Sequence, residues 1–384
     1  MVSITDRQVR PPGFALLLLS SFLAYSAFSG VSTMLAVFLA DSETEASALS
    51  LSGLTAGLSY LVSVALASRA DWRGMLPSAL ALVSLGCWLT ASHQRLFGIA
   101  LVILGTGAMR PAIVARIDAQ RGGLDAERAM ACYTVILNVG YVAGPLLADW
   151  LRLHRGWSVA FLALAGMAGV GMVLGLGAIR AKLPPREPAP DATTTGDQSP
   201  WLLLAVLLGV AGFYFYAQQA VSSIALLVDR ESTPLRLGRL ELALTAGRVA
   251  ALHGLLGALG ALPLARFSLG PLGVALGQAL YCAAMLALSR ASSAVPGYTV
   301  LLAFFALAVA ESVSGPSLLA VGARFRRSRR GLFWLAAVAG MLGSGLYSLQ
   351  WTRWSHREYF LYAATLPVVV GLLVLWRSSR GGWR

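Results

Sequence analysis

Glu311 and Arg110 stand out because each places a charge inside a long apolar stretch. An ionisable side chain at the centre of a bilayer costs at least about 2.5–3.5 kcal/mol, so it faces a cavity or a partner. Arginine keeps its proton under all ordinary conditions and can fork two hydrogen bonds to a carboxylate. Arg110 is therefore a candidate anion or carboxylate site; the alternative is a packing arginine that caps carbonyls before Pro111. Glutamate can exchange a proton, which makes Glu311 the candidate proton carrier; the alternative is a structural hydrogen bond to a neighbouring helix. Arg248 is a third such charge, either a structural pair with the preceding Glu241 or a functional group. Asp149 lies near the end of its stretch, and His253 is either a proton site or a packed, hydrogen-bonded histidine. No Walker loop, nucleophile elbow or His/Cys metal spacing is present, so neither an ATP-driven machine nor an enzyme is expected, and no cofactor or metal.

The elements that must hold these residues are membrane helices. The chain has 384 residues, 57% hydrophobic and only 12% charged, with mean hydropathy +0.70. Soluble domains run nearer about half apolar and about a quarter charged. That excludes an ordinary soluble enzyme, a nucleic-acid-binding module and a disordered chain. Strand-period alternation is missing, which argues against an outer-membrane barrel. The net charge of +13 rests on arginine, since Lys182 is the sole lysine. Placed between apolar stretches, those arginines read as topology determinants and not as a nucleic-acid surface. Cys87, Cys132 and Cys282 sit in apolar stretches as packing residues, without a disulfide framework. The stretch from Phe14 is too long for a signal h-region, so no cleavable signal is expected.

A span needs about 20 apolar residues. Twelve such stretches are expected, six near 14–39, 48–68, 75–91, 96–115, 129–151 and 157–179, and six near 200–228, 240–264, 270–289, 297–321, 331–351 and 358–376. Residues 180–199, rich in Pro, Thr and charge, form the one long polar linker. The expected organisation is a six-helix bundle over 1–179, a cytoplasmic linker over 180–199 and a second six-helix bundle over 200–384. With the N-terminus in the cytoplasm, most arginines face inward and the first outer loop, Asp41 to Glu45, carries only acid. Both termini are expected to be cytoplasmic, in a multi-pass protein of the plasma (inner) membrane.

Several segments then match known signatures. Asp71 and Gly74 fit the G-x-L-A-D-R-x-G-R-R loop of the major facilitator superfamily, making Asp71 and Arg73 candidate gating residues. Gly105-Thr106-Gly107-Ala108-Met109-Arg110-Pro111, Asn138-Val139-Gly140, Phe213-Tyr214-Phe215-Tyr216-Ala217-Gln218-Gln219 and Glu311-Ser312-Val313-Ser314-Gly315-Pro316 follow in order. They resemble motifs of the proton-dependent oligopeptide transporters, as do Arg330-Gly331 and Phe333-Trp334-Leu335-Ala336. Two family hallmarks are missing. The first helix lacks the E-x-x-E-R motif, Ala24 and Tyr25 occupying its last positions, and Gln218 replaces the usual acid of the seventh helix.

The resemblance implies an all-α membrane protein of twelve helices in two pseudo-symmetric bundles around a central cavity. It implies a secondary transporter that moves a small peptide or peptide-like zwitterion by alternating access, coupled to protons as a symporter. Arg110 would meet the substrate carboxylate and Glu311 its amine, with Tyr25, Asn138, Gln218 and Gln219 supplying neutral hydrogen bonds. The expected partners are that substrate, protons and the lipid bilayer, with no nucleic acid, around a monomer. Two alternatives stay open: an exporter of a drug-like or peptide-derived product on the same fold, and a non-transporting scramblase, receptor or assembly partner.

Overall fold

Inside lipid a backbone must satisfy its own polar groups, and runs of Leu, Ala, Val and Gly do so by closing into helices. The computed structural model describes residues 12–41, 43–66, 73–120, 126–180, 200–237, 240–264, 270–290, 296–324 and 330–378. The first half contains α1 (Pro12–Ala40), α2 (Glu45–Leu66), α3 (Met75–Ala91), α4 (Arg95–Gln120), α5 (Ala126–Arg155) and α6 (Trp157–Arg180). The second contains α7 (Pro200–Val221), α8 (Ser223–Glu231), β1 (Leu235–Leu237), β2 (Leu240–Leu242), α9 (Ala246–Leu264), α10 (Gly270–Ser289), α11 (Gly297–Arg324), α12 (Arg330–Ser348), α13 (His356–Ala363) and α14 (Thr365–Ser378). Ten stretches of helix are long and apolar enough to cross a membrane. With the shorter α3 and with α9, the described residues make twelve passages, because α7 with α8 and α13 with α14 each form one. Of the expected linker, residues 181–199 lie outside the described residues.

Three details depart from the pattern of unbroken helices. The eighth helix begins at Ala246 and not at 240, because Leu240–Leu242 pairs antiparallel with Leu235–Leu237. Leu-Arg-Leu against Leu-Glu-Leu is a period of two, which suits a strand. The seventh passage breaks at Ser222, whose φ of −119° and ψ of −88° are not helical; its hydroxyl donates to the Gln218 carbonyl at 2.6 Å. The twelfth breaks after Ala363. Pro367 has no N–H to give the Ala363 carbonyl, and the Tyr216 hydroxyl takes that carbonyl instead at 2.6 Å.

Within the first half, α1 packs on α5 and α6, and α3 on α4 and α6; within the second, α10 packs on α11 and α14, and α7 on α12. The halves meet where α5 packs on α9 and α2 on α12. Glycine permits these approaches. A Cβ on Gly144 would collide with the Ser26 carbonyl of α1, and Gly53 of α2 meets Gly345 of α12 backbone to backbone. Many buried hydroxyls return to carbonyls of their own helix, as Ser21 does to Leu17 at 2.8 Å and Thr106 to Val102 at 2.7 Å, which satisfies them without a partner from another helix. The outer faces are apolar: Leu96 is 87% exposed and Leu372 63%, a surface suited to lipid and not to water.

Polar ties between the halves gather at the end of the bundle where α1 finishes. Arg152 of α5 pairs with Asp149 on its own helix at 2.8 Å and reaches across to Asp229 of α8. Thr245 also bonds Asp149 across the interface. Arg230 pairs with Asp41 at 2.9 Å, and the Trp351 indole donates to Glu45 at 3.2 Å.

Candidate functional site

The Arg110 site is assembled by its own motif. Gly105 lies against the Ala79 carbonyl of α3, and Gly107 against Ser59 and Val62 of α2, so α4 sinks between those helices. Pro111 cannot donate to the Gly107 carbonyl, and the Ser63 hydroxyl of α2 satisfies it at 2.7 Å. Arg110 then points at α2. Its guanidinium lies 3.8 Å from the Tyr60 ring centroid and 4.6 Å from that of Phe28, and Nη1 donates to Ser59 at 3.0 Å. Two aromatic faces offset part of the cost of burying the cation. Nη2 is buried and has no hydrogen-bond partner. Arg110 is 4% exposed and Tyr25 2%. Tyr25 and Tyr133 share a hydroxyl–hydroxyl bond, and the Tyr25 and Phe28 rings meet edge to face.

Glu311 occupies the other half. Its carboxylate Oε2 lies 3.0 Å from His253 Nε2 of α9, with the two side chains 22% and 12% exposed. Phe304 meets the imidazole edge to face. Next along α11, Ser312 and Ser314 return their hydroxyls to the Ala308 and Ala310 carbonyls. Arg110 and Glu311 do not pair. Tyr60 and Tyr141, both on the first half, lie within electrostatic reach of each of them. The two charges thus stand on opposite halves, and the same two tyrosines are within reach of both.

The remaining candidates divide. Gln218 is buried and donates to Ser52 at 3.2 Å. With Ser32, Thr55, Ser59 and Thr106 it lines a cavity of about 30 Å³ beside Arg110, room for a water or two. Gln219 is fully buried, and its amide is spoken for at both ends: Nε2 donates to Ser344 at 2.9 Å and Oε1 accepts from Tyr359 at 2.9 Å. The Tyr359 hydroxyl also meets Ser223 at 2.9 Å. Asn138 is half-buried at the seam between the halves, where its side chain rests on Gly257 of α9. Gly140, two residues on, faces α1 and gives its carbonyl to Ser29 at 3.0 Å. Arg248 is exposed in the first turn of α9, bonded to the Ala243 carbonyl at 2.6 Å, and not in mid-span. Arg73 is exposed just before α3, and Asp71 lies outside the described residues. No group of three or more His, Cys, Asp or Glu among the described residues could hold a metal ion.

Sequence reasoning did not find the neighbours that face the two charges. Ser59 and Tyr60 lie in an unremarkable Leu-Ser-Tyr run, and only the packing of α4 on α2 brings them to Arg110. His253 had a signal, a histidine inside an apolar span, but its partner lies 58 residues away.

The sequence model of the Major Facilitator Superfamily matches residues 17–348. Similar solved structures include a POT family transporter in complex with 5-aminolevulinic acid, with TM-score 0.81 and 13% identity over 96% of this chain and 96% of that one. A peptide transporter POT in complex with sulfate has TM-score 0.79 and 16% identity over 97% and 95% of the two chains. A bacterial homologue of the human drug peptide transporters has TM-score 0.77 and 16% identity over 96% and 98%. At these identities the likeness is one of fold. No curated protein sequence matches the chain.

Proposed function

The chain belongs to the Major Facilitator Superfamily, and from that premise we propose that it is a secondary transporter of a small peptide or peptide-like zwitterion. The observation that carries this reading is the buried Arg110 Nη2 without a partner, on the half opposite a partly accessible Glu311. A buried donor left unmatched is costly, and a substrate carboxylate supplies the missing acceptor in a charge-assisted fork. The substrate ammonium then meets Glu311. A ligand held by both halves binds best when they close on it, so it shifts the population toward an occluded state. Rocking of the halves about this midplane site carries it across. The cycle couples to protons at Glu311 and the groups that face it. The protein acts as a monomer in the plasma (inner) membrane, with both termini in the cytoplasm on the arginine-rich side.

The test is uptake of a labelled dipeptide into proteoliposomes, with a proton gradient imposed in each direction. Gradient-dependent uptake by the wild-type protein, lost in Glu311→Gln, is the expected result. Absence of uptake by folded wild-type protein under both gradients would overturn the peptide reading. It would turn the search to export of amphiphilic products, the second reading. Two observations favour that second reading: α1 carries no charge, and Tyr25, Phe28, Tyr60 and Tyr133 make the surroundings of Arg110 aromatic.

A further inference from the structure

His253 is a partly buried ionisable side chain among the described residues that the proposed cycle leaves without a role of its own. It occupies the carboxylate that the substrate amine would need, with Nε2 3.0 Å from Glu311 Oε2. Histidine is the side chain that exchanges its proton between about pH 5 and 8, and beside a carboxylate its charged form gains a charge-assisted hydrogen bond. The position is poised between the halves: Gly254, the next residue, lies against Tyr141 of α5, and Gly257 against Asn138.

We propose, resting on the reading of Glu311 as the amine site, that His253 is the proton carrier and that substrate amine and proton exchange at Glu311. In the empty site the imidazolium is the counter-cation of the carboxylate. An arriving ammonium places a second cation beside one carboxylate, and like charges at that distance oppose each other. The imidazolium resolves this by releasing its Nε2 proton to water in the cleft. Glu311 stays ionised throughout, the ammonium keeps its own protons, and the neutral imidazole remains. Arg110 cannot take the proton-releasing role, because arginine does not deprotonate in proteins.

The surrounding groups leave the exchange to this pair. Tyr60 of α2, Tyr141 of α5 and Tyr281 of α10 lie within electrostatic reach of Glu311, and phenols are neutral near pH 7. On α5 and α8, Asp149 and Asp229 are both held by Arg152. On α9, Arg248 is bonded to the Ala243 carbonyl. Tyr25 of α1 is bonded to Tyr133, Tyr216 of α7 to the Ala363 carbonyl, and Tyr347 of α12 to the Tyr359 carbonyl. The consequence is a sign: bound substrate and bound proton exclude each other, so transport is exchange, opposite to the symport implied by the sequence resemblance.

The experiment is calorimetric binding of alanyl-alanine, and separately of hexylamine, to the full chain in lipid nanodiscs. Each titration is run at several pH values from about 5 to 9, spanning the range in which imidazole exchanges its proton, in buffers of different ionisation enthalpy. The wild-type protein is expected to release about one proton per ligand at the low end of the pH range. Its affinity should weaken about tenfold for each pH unit below the histidine midpoint. His253→Gln should bind with no proton release and a flat pH profile, and His154→Gln should behave as wild type. Binding of the dipeptide without proton release overturns the exchange while the peptide reading stands. Binding and release with hexylamine alone overturn the peptide reading and leave the exchange intact. If neither ligand binds at any pH up to the alkaline end of the range, both fall. The wild-type proton count needs no variant, so a His253→Gln chain that failed to fold would not remove the test.

Discussion

Arg110 and Gln219 are both buried polar side chains, yet only Arg110 is left incomplete. Gln219 is satisfied by Ser344 and Tyr359, which makes it an internal strut of the second half. Removing one partner should expose the difference. Tyr359→Phe leaves the Gln219 carbonyl oxygen without its donor, at a cost of about 1–3 kcal/mol. Thermal unfolding of the purified protein should therefore drop while dipeptide affinity stays unchanged; weakened affinity at unchanged stability would place Gln219 in the binding site after all. Arg110→Gln should do the reverse. It removes the charge that awaits a carboxylate, so dipeptide binding should fall by a factor of about ten or more, since hydrogen bonds to charged groups contribute about 1.5–3 kcal/mol. Stability should hold or rise, because a buried, half-satisfied cation no longer has to be accommodated. Equal binding in a folded Arg110→Gln protein would remove it from the site.

At the scale of elements, prolines and glycines decide where helices break and how closely they approach. Pro111 frees the Gly107 carbonyl and Ser63 of α2 takes it, so the proline that directly follows Arg110 also fastens α4 to the helix that carries Ser59 and Tyr60. Pro367 and the Tyr216 hydroxyl repeat the arrangement in the second half. Gly144 allows α5 to lie on the α1 backbone at Ser26, which sets the depth of Tyr25 and Tyr133. Gly144→Ala should overpack that contact and destabilise by about 1–3 kcal/mol, read as a lower unfolding temperature in detergent. Unchanged stability would mean that α1 and α5 can part without cost. The Gly-Thr-Gly and Asn-Val-Gly patterns were legible in the sequence as motifs. Their work became legible only once each glycine had a neighbour, because the distance between two helix backbones is not written in either one.

For the whole molecule, the ion pairs between halves among the described residues lie at the end where α1 finishes, Arg152 to Asp229 and Arg230 to Asp41, with Trp351 on Glu45 beside them. Alternation requires that they break. Arg152 and Asp229 are each only 12% exposed; without the Asp229 charge, Arg152 keeps Asp149 on its own helix and the ion pair across the halves is lost. Asp229→Asn should therefore shift the population toward the state open at that end. Spin labels at Glu43→Cys and Thr233→Cys, one on each half, should report longer distances in that background than in the parent; the same distribution in both would show that the pair does not hold this end closed. The exchange at His253 also has a whole-molecule sign. Vesicles acidic inside should take up dipeptide faster than vesicles at equal pH, and vesicles acidic outside more slowly.

The sequence by itself determined that this is a twelve-passage membrane protein in two halves and a member of its superfamily, and it singled out Arg110 and Glu311. Those conclusions rest on local quantities: the length of an apolar run, the cost of a charge within it, the order of short motifs. Only the tertiary structure decided what faces each charge. Arg110 and Glu311 stay apart, Glu311 meets His253, Gln219 turns inward to Tyr359, and the eighth helix gives up its start to a hairpin. Each of these depends on which residues distant in the chain arrive within about 3 Å, the range of a hydrogen bond. Helix packing alone sets that distance.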